Sequence, residues 1–321
     1  MKKNKTNIKR DSSKITTIFL VIVCVILAVY TVSVIIPLAW GFITSLKSDL
    51  DFSTLENKLG FPNVDKRVSF YECFTLLNYR KIIANFTVDV STSYITVAGV
   101  VSKSDTCGFG ELLLYTFLYA GGGCVISTFV PLVVAYLVAK YNYKFSKFIY
   151  GLALLIMIIP IIGATPSELT LLRRLGLYDS ILGNYVQKFN FTGMYFLVFV
   201  AFFETLPNSY AEAAEIDGAN QMDILVRIII PLAGKMVTTV MLLTFITYWD
   251  DYQTPLMYLP THPTIAYGIY KITRETGQSK GFHFVPIQIA GCMLLAIPIL
   301  VIFLCLREKL MGNISMGGLK E

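Results

Sequence analysis

Apolar runs of about twenty residues, the length that crosses a bilayer, follow one another along this chain. Short charged breaks separate most of them, and one polar interval stands between two runs far from either end. The first run, residues 15–43, exceeds what a bilayer needs at ~1.5 Å per residue, so it is predicted to tilt or project. Pro37 is expected to kink it near its outer end. Residues 44–110 form a mixed-charge loop with Asp49, Asp51, Glu56, Asp65, Arg67, Arg80 and Lys81. A loop that long is expected to carry small elements of its own. The second run, 111–139, contains Gly121-Gly122-Gly123, a flat face that another helix can approach closely. Lys140, Lys144 and Lys147 then make a short basic loop, and a third run covers 148–164 with Pro160 near its end. The fourth run, 182–203, is interrupted by Gln187, Lys188 and Asn190. Either the span is short and starts at about Phe191, or those side chains face protein or a water-filled cavity. Lys188 snorkelling to the surface is a further option. The fifth run, 236–258, holds Asp250 and Asp251, which are costly inside lipid. They either line the bundle interior or an aqueous path, or cap a helix broken near Pro255. The sixth, 285–306, has Pro286 at its start and Pro298 inside. The pattern predicts an all-α polytopic membrane protein with about six transmembrane helices.

The polar interval is Ser209–Lys235, between the fourth and fifth runs. Ala211 to Ile216 is rich in Ala and Glu, which favour helix. Ser209 and Glu212 have capping-box spacing, and Gly218 stands where a left-handed terminator belongs. A second helix fits Asn220 to Ile230, with Asp223 and Arg227 four apart and Pro231 at its end. The expectation is a helix–turn–helix finger joining two spans.

Composition sharpens the class. The 321 residues are 55% hydrophobic and only 15% charged, with mean hydropathy +0.63. Soluble domains carry about a quarter charged residues. The net charge of +6 therefore says little about nucleic acid, and none is expected as a partner. Much of it lies in the tail, residues 1–14, where Lys2, Lys3, Lys5, Lys9, Arg10 and Lys14 read as a cytoplasmic flank. The run after it is too long for a signal-peptide core and should stay as an anchor. With the Lys140–Lys147 loop also inside, both termini and the finger are expected on the cytoplasmic face, with 44–110 outside. Cys73 and Cys107 fall in that outer loop, where they either pair or remain two thiols. His262 and His283 stand alone in a later loop without a ligand pattern, so no metal is expected. No GxxxxGK[ST], HExxH or GxSxG run occurs, so the chain is not expected to be an enzyme or to bind ATP or any cofactor itself.

The finger also carries a family likeness. Glu212-Ala213-Ala214, then Asp217-Gly218-Ala219, then Ile228 and Pro231 resemble, in order and spacing, the EAA loop of binding-protein-dependent ABC importer permeases. In the span before it, Phe203-Glu204-Thr205-Leu206-Pro207 is similar to that family's lead-in. Three more stretches resemble the carbohydrate, maltose-type class: SELTLLRRLGLYDS after the third run, TYWDDYQTPLMYL in the fifth, and the ending MGNISMGGLKE. The departures are Lys235 near where a second Pro often stands, Leu225 at a common Phe, and Asp250 for Asn. The resemblance implies that the EAA residues form the coupling helix that docks on an ATPase subunit. It implies a sugar or sugar-derivative cargo. It also implies as partners a second, similar permease, an ATPase dimer that binds the ATP, an extracellular solute-binding protein and membrane lipid, in a plasma-membrane setting. Trp249, Asp250 and Asp251 become candidates for the translocation path. The domain layout is then a tail (1–14), a first span (15–43), an outer loop (44–110), a permease core (111–306) containing the coupling loop (209–235), and a cytoplasmic tail (307–321). A gradient-driven carrier would instead predict inverted repeats with broken helices. A scaffold or sensor built on the large loop would leave the EAA spacing as coincidence.

Overall fold

The computed structural model of the chain describes residues 14–62, 70–96, 99–141, 143–159, 163–274 and 284–311. Most of the basic N-terminal tail, Asp65, Arg67, Pro160, His283 and the ending from residue 312 lie outside the described residues. The chain divides into two compact units, one of residues up to 78 with 284–293, the other of 79–283 with 294 onward.

The first unit is built on the helix Lys14–Ser45. The helix runs through Pro37, and most of its apolar side chains from Ile18 to Leu38 are bare, as lipid-facing side chains would be. Past its end the chain ties a polar knot. Lys47 is wholly buried and donates from Nζ to the Asn57 carbonyl at 2.5 Å. Burial pushes the Lys47 ammonium pKa down, against the pull of the Asp51 charge. Asn57 Nδ2 donates to Asp51 Oδ2 at 2.9 Å, and Asn78 Nδ2 donates to the carbonyls of Ser45 and Lys47 at 2.9 and 2.8 Å. A π turn at Leu50–Thr54 and a short helix at Phe70–Cys73 are the small elements that the loop's length predicted. Further along the chain, Met293 Cε would lie 2.9 Å from a Cβ on Gly41.

The second unit opens with an antiparallel hairpin, Thr87–Thr96 against Gly99–Gly108, paired Thr87↔Gly108 through Thr96↔Gly99. It is a further small element inside the 44–110 loop, and the fold is mostly helical, as the apolar pattern predicted. Val88 and Val90 turn inward, while Asp89 stays exposed. The helix Ile265–Arg274 lies on this hairpin: Lys271 Nζ donates to the Asp89 carbonyl at 2.7 Å, and Gly268 abuts Phe86 and Val88. Cys107 and, in the first unit, Cys73 are buried thiols.

The unit's spine is the helix Phe109–Lys140, with a π bulge at Leu118–Gly122. A π bulge frees a carbonyl from its helical partner, and here Tyr185 Oη donates to Leu118 O at 2.7 Å. The glycine triplet presents the close face its sequence implied. A Cβ on Gly122 would fall 2.2 Å from Tyr185 Oη, whereas one on Gly121 would meet nothing within 4 Å. Gly122→Ala is therefore expected to cost about 1–3 kcal/mol by overpacking, and Gly121→Ala almost nothing. Thermal unfolding of the two purified variants reads the contrast.

Around the spine stand Lys144–Ile158, Met194–Thr205 and Gly234–Trp249, with Val285–Met311 continuing into this unit from residue 294. Phe196, Phe199 and Phe203 of one helix meet Leu132, Ala135 and Tyr136 of the spine in the apolar core, which extends to Ile224, Leu225 and Ile229. The fourth apolar run is broken: Ile181–Gln187 is one helix and Met194–Thr205 the next. The fifth is broken too, with Gln253–Tyr258 following Gly234–Trp249. Among the described residues three helices are long and apolar enough to span a bilayer alone, and Met194–Thr205 is a shorter apolar one.

A staple joins two loops of this unit. Asp179, in a left-handed conformation at φ 58°, accepts from the Thr261 backbone at 3.0 Å and the Thr261 hydroxyl at 2.7 Å, with His262 Nδ1 at 3.4 Å. Burial alone would raise the Asp179 pKa, but the bonds from His262 and Thr261 outweigh it and hold the carboxyl below its usual value. A depressed carboxylate stabilises the fold above its unfolded pKa of about 3.9 and loses that contribution as pH falls through the lower folded value. Asp179→Ala is expected to cost about 2 kcal/mol at neutral pH and to flatten the acid limb of stability measured against pH.

Candidate functional site

The polar interval folds as a finger of two helices. Ser209–Ile216 forms the first. Ser209 is its first helical residue rather than its cap, so the capping box does not form. Asn208 takes the cap position, and its Oδ1 is occupied by Lys140 Nζ at 2.9 Å. That ammonium also donates to the Leu206 carbonyl at 2.5 Å, fixing the finger's root to the end of the spine. Gly218 ends the helix at φ 82°, the left-handed turn its position predicted. Asn220 then caps the second helix, accepting from the Asp223 amide at 2.8 Å.

The second helix runs Gln221–Leu232 and bends by 76° into the span Gly234–Trp249. It passes Pro231 by one residue, and the turn before that proline is π-wound over Ile224–Ile229. Proline lacks an amide proton, and its ring crowds the carbonyl four residues back; a wider turn accommodates both. Asp223 and Arg227 form the expected i, i+4 pair at 3.2 Å. Gln221 Nε2 donates to Glu215 Oε1 at 2.7 Å, bracing the two helices, and Tyr141 donates to Gln221.

The named finger residues divide by face. Ala214 is buried against the core, and Ala219 and Ile228 are half-buried beside it. Glu212, Ala213, Asp217, Gly218 and Pro231 are exposed. Leu225, at the position that departs from the family pattern, is buried. The tip also bares large apolar side chains, with Ile216 87% and Met222 66% exposed. A carboxylate-edged tip with bare Ile and Met is a surface suited to docking into a groove.

The second place of interest lies at the broken fourth run. Lys188 does not snorkel outward. Its Nζ donates to Tyr119 Oη at 3.2 Å and lies 3.7 Å over the Tyr248 ring and 4.5 Å over the Tyr119 ring. Tyr119 Oη donates onward to Asp251 Oδ2 at 2.5 Å. Asp251 Oδ1 accepts the Thr254 amide at 3.1 Å, so this carboxylate both faces the interior and caps the next helix. Ser127 Oγ and Tyr248 Oη share a hydrogen bond at 2.7 Å. The three path candidates thus separate. Asp251 joins the network, Asp250 is exposed, and Trp249 is a packing anchor, 2% exposed between Phe117 and Phe245 with Nε1 donating to Leu295 O at 3.1 Å. Sequence reasoning missed Tyr119, Tyr248 and Ser127. The polar break at Gln187–Asn190 was the signal that could have pointed to them.

Residues 131–308 match the family described as the binding-protein-dependent transport system inner membrane component. The chain is 27% identical over 216 residues to the trehalose transport system permease protein SugB of Mycobacterium tuberculosis, covering 66% of this chain and 78% of that one. It is 23% identical to the sulfoquinovosyl glycerol transport system permease protein SmoH of Agrobacterium fabrum, across 91% of both. Among solved structures, a chain of a bacterial ABC transporter involved in the import of the acidic polysaccharide alginate aligns with TM-score 0.67 and 21% identity, over 92% of this chain and 98% of that one.

Proposed function

The chain belongs to the inner membrane components of binding-protein-dependent transport systems, and from that premise we propose that it is a permease subunit of an ATP-driven importer for a sugar, oligosaccharide or sugar derivative. The relatives' cargoes, trehalose and sulfoquinovosyl glycerol, support the cargo class. In this reading the chain pairs with a second, similar permease, an ATPase dimer and an extracellular solute-binding protein. It contributes no ATP site. On the same reading six spans, with the short helices Lys144–Ile158, Met194–Thr205 and Gly234–Trp249 among them, leave both termini and the finger on one face, and the basic N-terminal tail and the Lys140–Lys147 loop support that face being the cytoplasmic one.

The observation that carries the proposal is the finger: a rooted helical hairpin turning at Gly218, whose tip leaves Ile216 and Met222 bare beside Glu212 and Asp217. Glu212 and Asp217 form charge-assisted bonds to basic groups of the ATPase, and the apolar tip fills its groove. Closure of the ATPase pair moves the finger, and the 76° bend passes that motion directly into the span Gly234–Trp249. Detergent extraction of the tagged chain tests the reading. A nucleotide-binding subunit and a second permease should co-purify, and their repeated absence would sink it.

A further inference from the structure

The proposed function leaves open whether this subunit touches the cargo, and the inference that follows rests on that function. Between the helices Ile181–Gln187 and Met194–Thr205, the break leaves a cavity of ≈ 260 Å³, walled by Ser127, Gln187, Lys188, Asn190, Thr244 and Tyr248 among others. That volume equals about nine liquid waters, enough for a single sugar ring. The wall is mixed in the way such a ring requires. Tyr195 offers apolar surface to its C–H faces, while hydroxyls and amides stand ready for its hydroxyl groups.

One detail favours a ligand over simple packing. Lys188 carries three N–H donors and spends one of them on Tyr119 Oη. The charge also selects. Lys188 is linked through Tyr119 to the Asp251 carboxylate, so the site's cation is already matched. Lys188 therefore meets a ligand as a hydrogen-bond donor rather than as an open charge. We propose that this cavity is a cargo-contact site in this subunit, holding one ring of a neutral carbohydrate, with Lys188 and the Ser127–Tyr248 pair bonding its hydroxyls.

The test uses the assembled importer in proteoliposomes with its binding protein and internal ATP. The probes are radiolabelled trehalose and raffinose, with tri-galacturonate as the acidic comparison. At least one neutral probe should be taken up, at no less than ten times the rate of the acidic one. Lys188→Met and Ser127→Leu, which fills the cavity, should each slow that uptake at least tenfold, with Lys188→Arg recovering most of the rate. Co-purification with the ATPase and membrane abundance establish that each variant still assembles. The assignment is overturned by wild-type rates in both variants, by preference for the acidic probe, or by no uptake of a neutral probe. Failure of the importer reading looks different: no ATPase then accompanies the chain at all.

Discussion

Gly218→Asp is expected to abolish uptake, with a drop of at least a hundredfold, while the chain still inserts in the membrane at normal abundance. Gly218 sits at φ 82°, where a side chain is strained. Aspartate is among the residues that best tolerate that conformation, so the local cost is about 1 kcal/mol and the fold survives. A Cβ at Gly218 meets nothing within 4 Å in this chain. A large functional loss would therefore come from the surface that the tip is proposed to meet. The added carboxylate would stand beside Asp217, doubling negative charge where a groove must close. Uptake and ATPase co-purification, measured together, check the result. Normal transport by this variant would remove the finger from the mechanism.

The finger was the most legible part of the chain because its signals are local. A left-handed glycine, an i, i+4 ion pair and a proline each act within one turn, and the structure bears out the glycine and the ion pair where the spacing put them. The proline differs by one residue, because the π-wound turn over Ile224–Ile229 accommodates it. The capping box did not form because the helix begins at Ser209 itself, with Asn208 at the cap position and its side chain engaged by Lys140, some seventy residues upstream. The hairpin at 87–108 was hidden for a different reason. The sequence between its two strands lacks the Asn-Gly or Asp-Gly that announces a tight hairpin, and only the alternation of Val88 and Val90 with Asp89 hinted at strand. Trp249 shows the limit of motif reading. Its neighbours Asp250 and Asp251 suggested a path, but a large indole with one N–H donor is also well suited to a packed core, and the Leu295 carbonyl gives that donor its partner. Lys188 was ambiguous by nature, since a long cation breaking an apolar run can turn either way. The two tyrosines that draw it inward lie on other helices, where no periodicity in its own run could reveal them.

The strongest stability effect is expected at Asp251. Asp251→Ala leaves Lys188 as a buried cation whose counter-charge is gone, and breaking such a pair costs about 3–5 kcal/mol. The low end of that range applies, because Asp251 is half-buried and acts through Tyr119 rather than directly. The same substitution removes the cap on the Thr254 amide. Asp250→Asn, one residue away but exposed, should change little. The double variant Lys188→Met with Asp251→Ala separates charge from cap. With both charges gone the desolvation cost disappears, so the double variant should be more stable than Asp251→Ala alone, and its loss should fall short of the sum of the two single losses by a coupling of about 2 kcal/mol. Thermal unfolding of the assembled complex in detergent gives all four corners of that cycle. Strict additivity would mean that Lys188 and Asp251 do not sense one another, and the bonded chain from the broken fourth run to the fifth would then be incidental geometry. Coupling of the expected size would mean that the two broken spans are held in one arrangement by a single interior link. Movement of the Gly234–Trp249 span by the finger would then have to carry or break that link, which places the polar cluster in the same mechanical line as Gly218.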